Sequence, residues 1–270
     1  MRKNDSSLRG AQVKRVQRSN PNYENKIDCH NFANAKSRND DSDSRDFIIY
    51  GKQPCLFVLE NHSDLIKEIY FGKDIDGAIF ARFARLQKPI IRADFKKMQS
   101  LAKGGNHQNF ILRVEQGEST HKKFSDFSKI LVLVGISDVG NIGAIFRTAL
   151  AFGVDCIIST NALNLSGVAR SSSGAFFSVP HIICKDYLSL ANELKMAHFS
   201  LFGADIKGVN LASNFEIPPK WALFLGSEGD GLPKRLLGRM DLNLGIKMQN
   251  FDSLNVSVAA GILLYKLTQI

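Results

Sequence analysis

The chain lacks the signals of several protein classes. Its longest strongly apolar stretch, residues 256–265, is far shorter than the roughly 20 residues that a membrane-spanning helix needs. The N-terminus is charged and no apolar segment follows it, so a secretory signal peptide is not expected. The four cysteines are widely separated, with no CxxC pair and no Cys/His cluster at metal-ligand spacing. These absences favour a protein of the reducing cytoplasm, with no membrane partner and no metal site.

Two nucleotide-binding motifs are also absent from the sequence. There is no GxxxxGK[ST] phosphate-binding loop and no GxGxxG that opens a helix, which argues against P-loop and Rossmann-type enzymes. What the chain has is 270 residues, of which 44% are hydrophobic, and this is enough to bury a sizeable core in one or two domains. Its 35 basic and 26 acidic residues give a net charge of +9, which favours an anionic partner such as nucleic acid.

Residues 1–46 differ in composition from the rest of the chain. They are rich in Asn, Ser, Asp, Lys and Arg and poor in aliphatic residues, so we expect a disordered tail. Lys and Arg dominate the first 20 positions, where Asp5 is the one acid. The tail is either a basic arm for RNA phosphates or a solubilising extension, and the sequence leaves both open.

Residues 47–114 predict a small α/β domain, and the polar residues 115–129 predict a linker after it. The predicted elements are a strand and helix within 47–61, a strand at 66–72, a helix at 74–87, a strand and helix within 89–104 and a strand at 109–114.

From residue 130 onward, apolar strand runs alternate with helical patterns. Near-continuous apolar strands in such an alternation indicate a parallel sheet that is covered on both faces, so 130–270 is predicted to be a larger α/β domain. The predicted strands are 130–136, 156–160, 179–184, 199–205, 221–226 and 242–246, and the helices are 141–153, 187–198 and 253–267.

The first candidate motif is SDVGNIGAIFRTA at 137–149, directly after a predicted strand. Asp138 is placed to cap the helix. Gly140, Gly143 and Arg147 share one helix face by their spacing. A surface arginine on an ordinary helix would explain Arg147, but not glycines that each cost about 1 kcal/mol relative to alanine. The pattern therefore predicts open space for a ligand beside the guanidinium.

The second motif is LGSEGDGL at 225–232, which follows an apolar strand run. Its glycines permit positive φ and a close approach of a ligand to the backbone. Glu228 and Asp230 would repel a phosphate, so the loop suits a nucleoside recognised by backbone groups. A plain β-turn is the alternative.

The third motif lies at 244–262, around the start of the last predicted helix. Ser253 is the predicted N-cap, and Asn255 and Ser257 in the first turn are predicted to face a ligand. Alternatively, these two side chains only satisfy local backbone groups.

In this order, DVGNIG…RTA at 138–149, LGSEGDGL at 225–232 and SLNVS at 253–257 resemble the SpoU/TrmH branch of the SPOUT methyltransferases. The resemblance covers about residues 130–270. Residues 47–114, with YGKQPCLFVLEN near their start and HQNFILRV at their end, resemble the RNA substrate-binding domain of rRNA-modifying members, as in the 23S rRNA (guanosine-2'-O-)-methyltransferase group.

The resemblance implies an α/β fold whose C-terminal SPOUT domain carries a deep trefoil knot and binds S-adenosylmethionine. It implies a homodimer in which two protomers build each active site. The implied reaction is methylation of a ribose 2'-hydroxyl in rRNA, with a guanosine of 23S rRNA as the expected target. The alternatives are a tRNA ribose 2'-O-methyltransferase and a catalytically silent RNA-binding factor in ribosome assembly.

Five residues are carried over as catalytic: Arg147, Asn141, Glu228, Asn255 and Ser257. Arg147 matches the family's catalytic arginine, but a guanidinium with a pKa above about 12 is a poor base. Stabilisation of the developing alkoxide is therefore the preferred role for Arg147, and a base role assisted by an RNA phosphate stays open. Glu228 is expected to orient Arg147 by a charge-assisted hydrogen bond.

The resemblance also implies a set of cofactor-binding residues on four loops. These are Gly203, Ala204, Asp205, Leu225, Gly226, Glu228, Gly229, Gly231, Ile246, Met248, Leu254 and Asn255. No metal is expected, because the sulfonium of S-adenosylmethionine departs as a neutral thioether.

Overall fold

The computed structural model describes residues 46–72, 75–116, 123–210, 215–250 and 253–269. The predicted disordered tail therefore lies outside the described residues, except for Asp46, which is the first residue of a strand. No helix in these ranges is long and apolar enough to cross a membrane.

The first part of the described chain forms a four-stranded sheet with three helices. Strand order is β1-β4-β2-β3, in which β4 is antiparallel to both neighbours and β3 is parallel to β2. Each strand and helix predicted for 47–114 is present. The elements are β1 (Asp46–Tyr50), α1 (Lys52–Asn61), β2 (Ile66–Phe71), α2 (Gly77–Ala84), β3 (Ile90–Arg92), α3 (Phe95–Leu101) and β4 (Phe110–Glu115).

Local sequence explains where these helices begin and what they cover. The side chains of Asp76 and Asp94 accept hydrogen bonds from the free backbone N–H groups at the starts of α2 and α3. The core beneath α2 is aromatic, because Phe71 lies edge-on to Phe83 and Phe110 with ring centroids 5.3 and 5.6 Å apart.

The second part forms a six-stranded sheet, and every strand pair in it is parallel. Strand order is β10-β8-β9-β5-β6-β7. The parallel α/β fold predicted from 130 onward is confirmed. The elements are β5 (Lys129–Val134), α4 (Val139–Ala151), β6 (Cys156–Ser159), α5 (Leu165–Ser171), β7 (His181–Ile183), α6 (Tyr187–Met196), β8 (Ser200–Val209), β9 (Trp221–Gly226), α7 (Lys234–Leu237), β10 (Leu242–Leu244) and α8 (Val256–Thr268).

Both faces of this sheet are buried, as the apolar strands predict. Alternate residues of β5 point to opposite sides. Leu131 and Leu133 pack in the cluster that contains the buried residues of α4, α5 and α8. Ile130 and Val132 pack in the cluster of α6 and α7.

The structure differs from the sequence prediction in the segment that holds α5. This helix has only seven residues, and glycine and serine interrupt its apolar positions. The sequence therefore shows no helical hydrophobic period there. Its first turn is capped by Asn164, and the chain then turns through positive φ at Ser173 and Gly174. A second difference is that α8 is capped by Asn255 and not by Ser253.

Both ends of the predicted linker 115–129 lie in strands. Glu115 ends β4 and Lys129 begins β5. Between them, Phe124 and Phe127 are buried in the same cluster as α6, so the second half of this segment packs against the parallel sheet.

Helix α5 joins the two sheets of the molecule, because it contacts β1 on one side and α4 on the other. Around this contact, the rings of Phe47 and Phe177 stack with centroids 5.9 Å apart, and His62 Nε2 lies 2.8 Å from Ser178 Oγ. The candidate catalytic helix α4 is therefore only one helix away from the small sheet.

Candidate active site

A cavity of about 230 Å³ opens at the carboxyl ends of β8, β9 and β10. Ligands of parallel α/β sheets commonly bind at this edge. Its lining residues come from Ala204–Ile206 of β8, the loop after β9, the segment after β10 and α8. Two of the three motif regions therefore contribute to the cavity wall, and that of α4 does not.

The loop after β9 folds back on its own strand. Gly231 adopts φ 64° and donates its backbone N–H to the carbonyl oxygen of Ser227 at 2.9 Å. A Cβ on Gly226 would overlap the carbonyl group of Gly231, so glycine is required there by the fold of the loop itself. Gly229 differs, because a Cβ at that position meets nothing within 4 Å.

Three polar side chains from three distant segments form one hydrogen-bonded network beside this loop. Glu228 Oε1 accepts hydrogen bonds from Asn141 Nδ2 at 2.9 Å and from Asn255 Nδ2 at 2.6 Å. Asn255 Nδ2 also donates to Asn141 Oδ1 at 2.8 Å. The carboxylate acceptor makes these hydrogen bonds charge-assisted, so Glu228 fixes both amide groups in one orientation.

Ser257 joins this network through the cap of α8. Asn255 Oδ1 accepts from the backbone N–H of Ser257 at 3.0 Å and from its Oγ at 2.6 Å. Asn255 thus uses its oxygen to cap the helix and its nitrogen to bind Glu228. Of the five residues predicted as catalytic, the structure brings four together: Asn141, Glu228, Asn255 and Ser257.

Arg147 lies apart from this network and is exposed on α4. Between two protomers the predicted hydrogen bond of Glu228 with Arg147 stays a prediction; within the one described chain it does not form, and the described partners of Glu228 are Asn141, Asn255 and the backbone of Val256. The reason is helical geometry. Arg147 follows Asn141 by six positions, about 1.7 turns of helix, so the two side chains leave α4 in different directions.

The predicted open space beside Arg147 is also only partly present. A Cβ on Gly143 would lie 2.6 Å from the carbonyl carbon of Ser171, so this glycine admits helix α5 and not a ligand. Ser171 Oγ donates to the carbonyl oxygen of Val139 at 2.7 Å and fixes this contact. Gly140 remains open, with only Asp138 Oδ1 nearby, at 3.2 Å from a built Cβ.

Most residues predicted to bind the cofactor line the cavity, and two do not. Gly203 is packed against the side chains of Met240 and Asn243, and Asn255 lies at the edge of the cavity, bound to Glu228. The predicted residues in the lining are Ala204, Asp205, Leu225, Gly226, Glu228, Gly229, Gly231, Ile246, Met248 and Leu254.

Sequence reasoning missed other lining residues, notably Ser227, Asp230 and Ile206. The first two stand inside the quoted loop motif and would have been included if every motif position had been counted. With Asp205 and Glu228, Asp230 gives the lining three carboxylates, and no Lys or Arg is among its described residues. No group of three His, Cys, Asp or Glu side chains in the described part of the chain is placed to hold a metal ion.

Known families match both parts of the chain. The model of the SpoU rRNA Methylase family matches residues 128–265, and the model for RNA 2'-O ribose methyltransferase substrate binding matches residues 48–120. The chain belongs to the SpoU rRNA Methylase family. This confirms the resemblance to the SpoU/TrmH branch, and with it an enzyme of the RNA methyltransferase class.

Two curated bacterial proteins illustrate the similarity. The 23S rRNA (guanosine-2'-O-)-methyltransferase RlmB of Neisseria meningitidis serogroup B is 30% identical over 231 residues, which are 80% of this chain and 92% of that protein. A protein of Borreliella burgdorferi named as an uncharacterized tRNA/rRNA methyltransferase is 33% identical over 196 residues, which are 66% of this chain and 86% of that protein.

Solved structures share the fold of this SpoU protein. The crystal structure of an RNA 2'-O ribose methyltransferase superposes with a TM-score of 0.71 at 24% identity and covers 83% of this chain and 88% of that chain. The SpoU methyltransferase AviRb of Streptomyces viridochromogenes, solved in complex with AdoMet, superposes with a TM-score of 0.69 at 21% identity and covers 83% and 89%.

Proposed function

We propose that this chain transfers a methyl group from S-adenosylmethionine to a ribose 2'-hydroxyl of rRNA, with a guanosine of 23S rRNA as the target. The observation that carries the proposal is the network of Glu228, Asn141 and Asn255 at the edge of the cavity, built from three segments of the SpoU family match. The name of the Neisseria relative supports the choice of rRNA and guanosine.

The cavity fits the chemistry of S-adenosylmethionine. This cofactor carries a sulfonium cation and an adenosine and has no phosphate, and the lining offers carboxylates without Lys or Arg among its described residues. Leu225, Ile246 and Leu254 provide apolar surface for an adenine ring, and the open Cα side of Gly229 leaves the backbone accessible. We assign cofactor binding to the lining residues predicted from the sequence, with Gly203 and Asn255 in supporting positions. When bound, S-adenosylmethionine supplies an electrophilic methyl group on a sulfonium sulfur.

The residues of the chain have to activate an alcohol that is barely ionised at neutral pH. Arg147 is assigned to the RNA phosphate beside the target ribose and to the negative charge that develops on the 2'-oxygen. Its exposed position leaves the guanidinium free of an ion pair with any described residue. Asn141 and Asn255 hold the RNA at the cavity, and Glu228 orients their amides. Ser257 fixes Asn255.

Each part of the chain is assigned one role in this function. We assign 47–114 to RNA binding, 115–129 to a linker and 130–270 to methyl transfer, and the family match for substrate binding at 48–120 supports the first assignment. The basic tail 1–46 is proposed as an additional RNA contact.

A trefoil knot in the C-terminal part of the chain is part of the proposal. After β10, which pairs with β8 at the edge of the sheet, helix α8 returns to pack against α4 and β9 near the centre. At the end of the pairing between β8 and β10, a Cβ on Gly208 would lie 2.6 Å from the backbone nitrogen of Gly245, so the backbones after β10 and at the end of β8 are in close contact. The family resemblance and this close contact support the proposed knot.

A homodimer is proposed from an apolar stripe on α8. Val258 and Tyr265 are 49% and 53% exposed, and Ile262 lies between them at helical spacing. An interface here would carry Arg147 toward the cavity of the partner subunit. We also propose that the protein acts in the cytoplasm, where buried thiols such as Cys55 stay reduced.

The experiment that tests the function is methyl transfer from labelled S-adenosylmethionine to unmodified 23S rRNA fragments and to tRNA. We expect label in rRNA, mapped to one ribose 2'-oxygen. Label in tRNA alone would overturn the substrate class, and label on a base would overturn the reaction. Absence of transfer to either RNA, with intact cofactor binding, would favour a silent RNA-binding factor.

A further inference from the structure

Phe95 is the only phenylalanine in the described part of the chain that is exposed to solvent. It stands at the first position of α3 in the small domain and is 73% exposed. Its ring contacts only the edge of the core, where the centroid of the His107 ring lies 5.7 Å away. A large aromatic side chain that is this exposed contributes little apolar burial to folding. Its exposure therefore indicates a surface that another molecule can cover.

The surroundings of Phe95 are basic. Arg92, Lys96, Lys97 and Lys103 are all exposed, and none of them forms an ion pair with another described residue. The one acid between residues 90 and 105 is Asp94, whose carboxylate accepts the backbone N–H of Lys97 at 2.8 Å to cap α3.

A chain of packing contacts connects this segment to the candidate catalytic helix. The loop that carries His107 also carries Gly105, where a Cβ would lie 2.6 Å from Cζ of Tyr50. The guanidinium of Arg170, in α5, lies over the Tyr50 ring at 4.9 Å from its centroid. The next residue of α5, Ser171, packs against Gly143 of α4. Contacts thus run from Phe95 through Tyr50 and α5 to the helix of Asn141 and Arg147.

We propose that Phe95 stacks on an unpaired base of the RNA substrate, while Arg92, Lys96, Lys97 and Lys103 bind the adjoining phosphates. Stacking on aromatic side chains is a common way to hold unpaired RNA bases, and cations beside the ring suit the phosphates that such a base brings with it. A protein partner would need a broader apolar patch, whereas Ile91, 38% exposed, is the other exposed large apolar side chain of this segment. The inference rests on the proposed function and specifies how the small domain holds its RNA.

The first test is substitution of Phe95. Phe95→Ala is expected to raise the KM for the rRNA fragment about fivefold or more, with the Kd for S-adenosylmethionine unchanged, and Phe95→Trp is expected to keep KM within about twofold. Since the ring is exposed, neither change removes core packing. The matched control is Met196→Ala, which truncates a 63% exposed apolar residue on α6 of the other domain and should leave KM unchanged.

The second test is fluorescence of the Phe95→Trp variant, which needs no methyl transfer. The one native tryptophan, Trp221, is 1% exposed, so the introduced indole reports on the surface. Stacking on a base is expected to quench its fluorescence on titration with the rRNA fragment and to protect it from iodide.

Three results would contradict the inference: no quenching although the RNA binds, a wild-type KM for Phe95→Ala, or a shift from dimer to monomer in that variant. If the wild type methylates rRNA and Phe95→Ala matches it, only this inference fails. If the wild type methylates no RNA, the proposed function fails, and the fluorescence titration still decides the role of Phe95.

Discussion

The two parts of the candidate active site differ in how far this chain completes them. Glu228, Asn141, Asn255 and Ser257 are joined by hydrogen bonds of 2.6 to 3.0 Å that fix their orientation. Arg147, on the same helix as Asn141, is exposed and has no hydrogen bond to a described residue. The first part is built by the fold of one chain, and the second has no partner among the described residues of that chain.

This difference suggests a division of labour. The fixed network is suited to shaping the edge of the cofactor cavity before any substrate arrives, because its amides need no reorganisation. A free guanidinium is suited to a ligand with its own negative charges, since its five donors are not committed. RNA phosphate and the second protomer are the proposed partners of Arg147.

The largest effect is expected for Arg147→Ala. The change removes the group assigned to the developing alkoxide, so kcat for rRNA should fall about 100- to 1,000-fold. The Kd for S-adenosylmethionine, measured by calorimetry, should stay unchanged because Arg147 does not line the cavity. Near-wild-type methylation by this variant would remove Arg147 from the mechanism.

The next largest effect is expected for Gly226→Ala. The added methyl group overlaps the carbonyl of Gly231, so the loop backbone has to move. We expect this to lower the free energy of unfolding by about 1 to 3 kcal/mol, measured as a lower midpoint of urea unfolding. The displaced loop should also bind the cofactor more weakly. Gly229→Ala is the matched control in the same loop, since its methyl group meets nothing within 4 Å and should change stability by less than about 0.5 kcal/mol. Equal destabilisation of both variants would contradict the described loop.

Glu228→Gln should have an intermediate effect. The change keeps the shape of the side chain but replaces two charge-assisted hydrogen bonds by neutral ones, so we expect kcat to fall about tenfold. Glu228→Ala should lower kcat further, and both should weaken cofactor binding less than turnover. If Kd changes more than kcat, Glu228 acts chiefly through cofactor contacts and the network has been misassigned.

The smallest effect is expected for Ser257→Ala. It deletes one hydroxyl hydrogen bond to Asn255, while the backbone N–H of residue 257 still binds the same oxygen. A loss of about 1 kcal/mol or less corresponds to at most a fivefold decrease in kcat. Steady-state kinetics of Ser257→Ala and Asn255→Ala under the same conditions measures the difference, and kcat of Asn255→Ala should be clearly lower. A larger loss in Ser257→Ala than in Asn255→Ala would indicate that the hydroxyl contacts the substrate directly.

The sequence predicted those features of the site that depend on residues close together in the chain. Except for the short helices α5 and α7, the strand and helix sequence of both domains follows from apolar periods. LGSEGDGL lines the cavity because the loop after a parallel strand lies at the carboxyl edge. The failures concern contacts between distant segments. Gly143 was expected to admit a ligand but admits α5, a helix whose short sequence has no clear period. Within one chain, Glu228 binds two asparagines and not Arg147, because helix phase places Asn141 and not Arg147 toward the loop.

The most direct test of the division between the two parts is complementation between two impaired chains. Differently tagged Arg147→Ala and Gly226→Ala chains would be co-expressed, and the mixed dimers isolated by both tags. If Arg147 serves the cavity of the partner subunit, one site of each mixed dimer is intact. At a cofactor concentration at which both parents are strongly impaired, the purified mixed dimer should then show about half of the wild-type activity, well above either parent. A mixed dimer no more active than its parents would show that Arg147 and the cavity act within one chain, and would contradict the account.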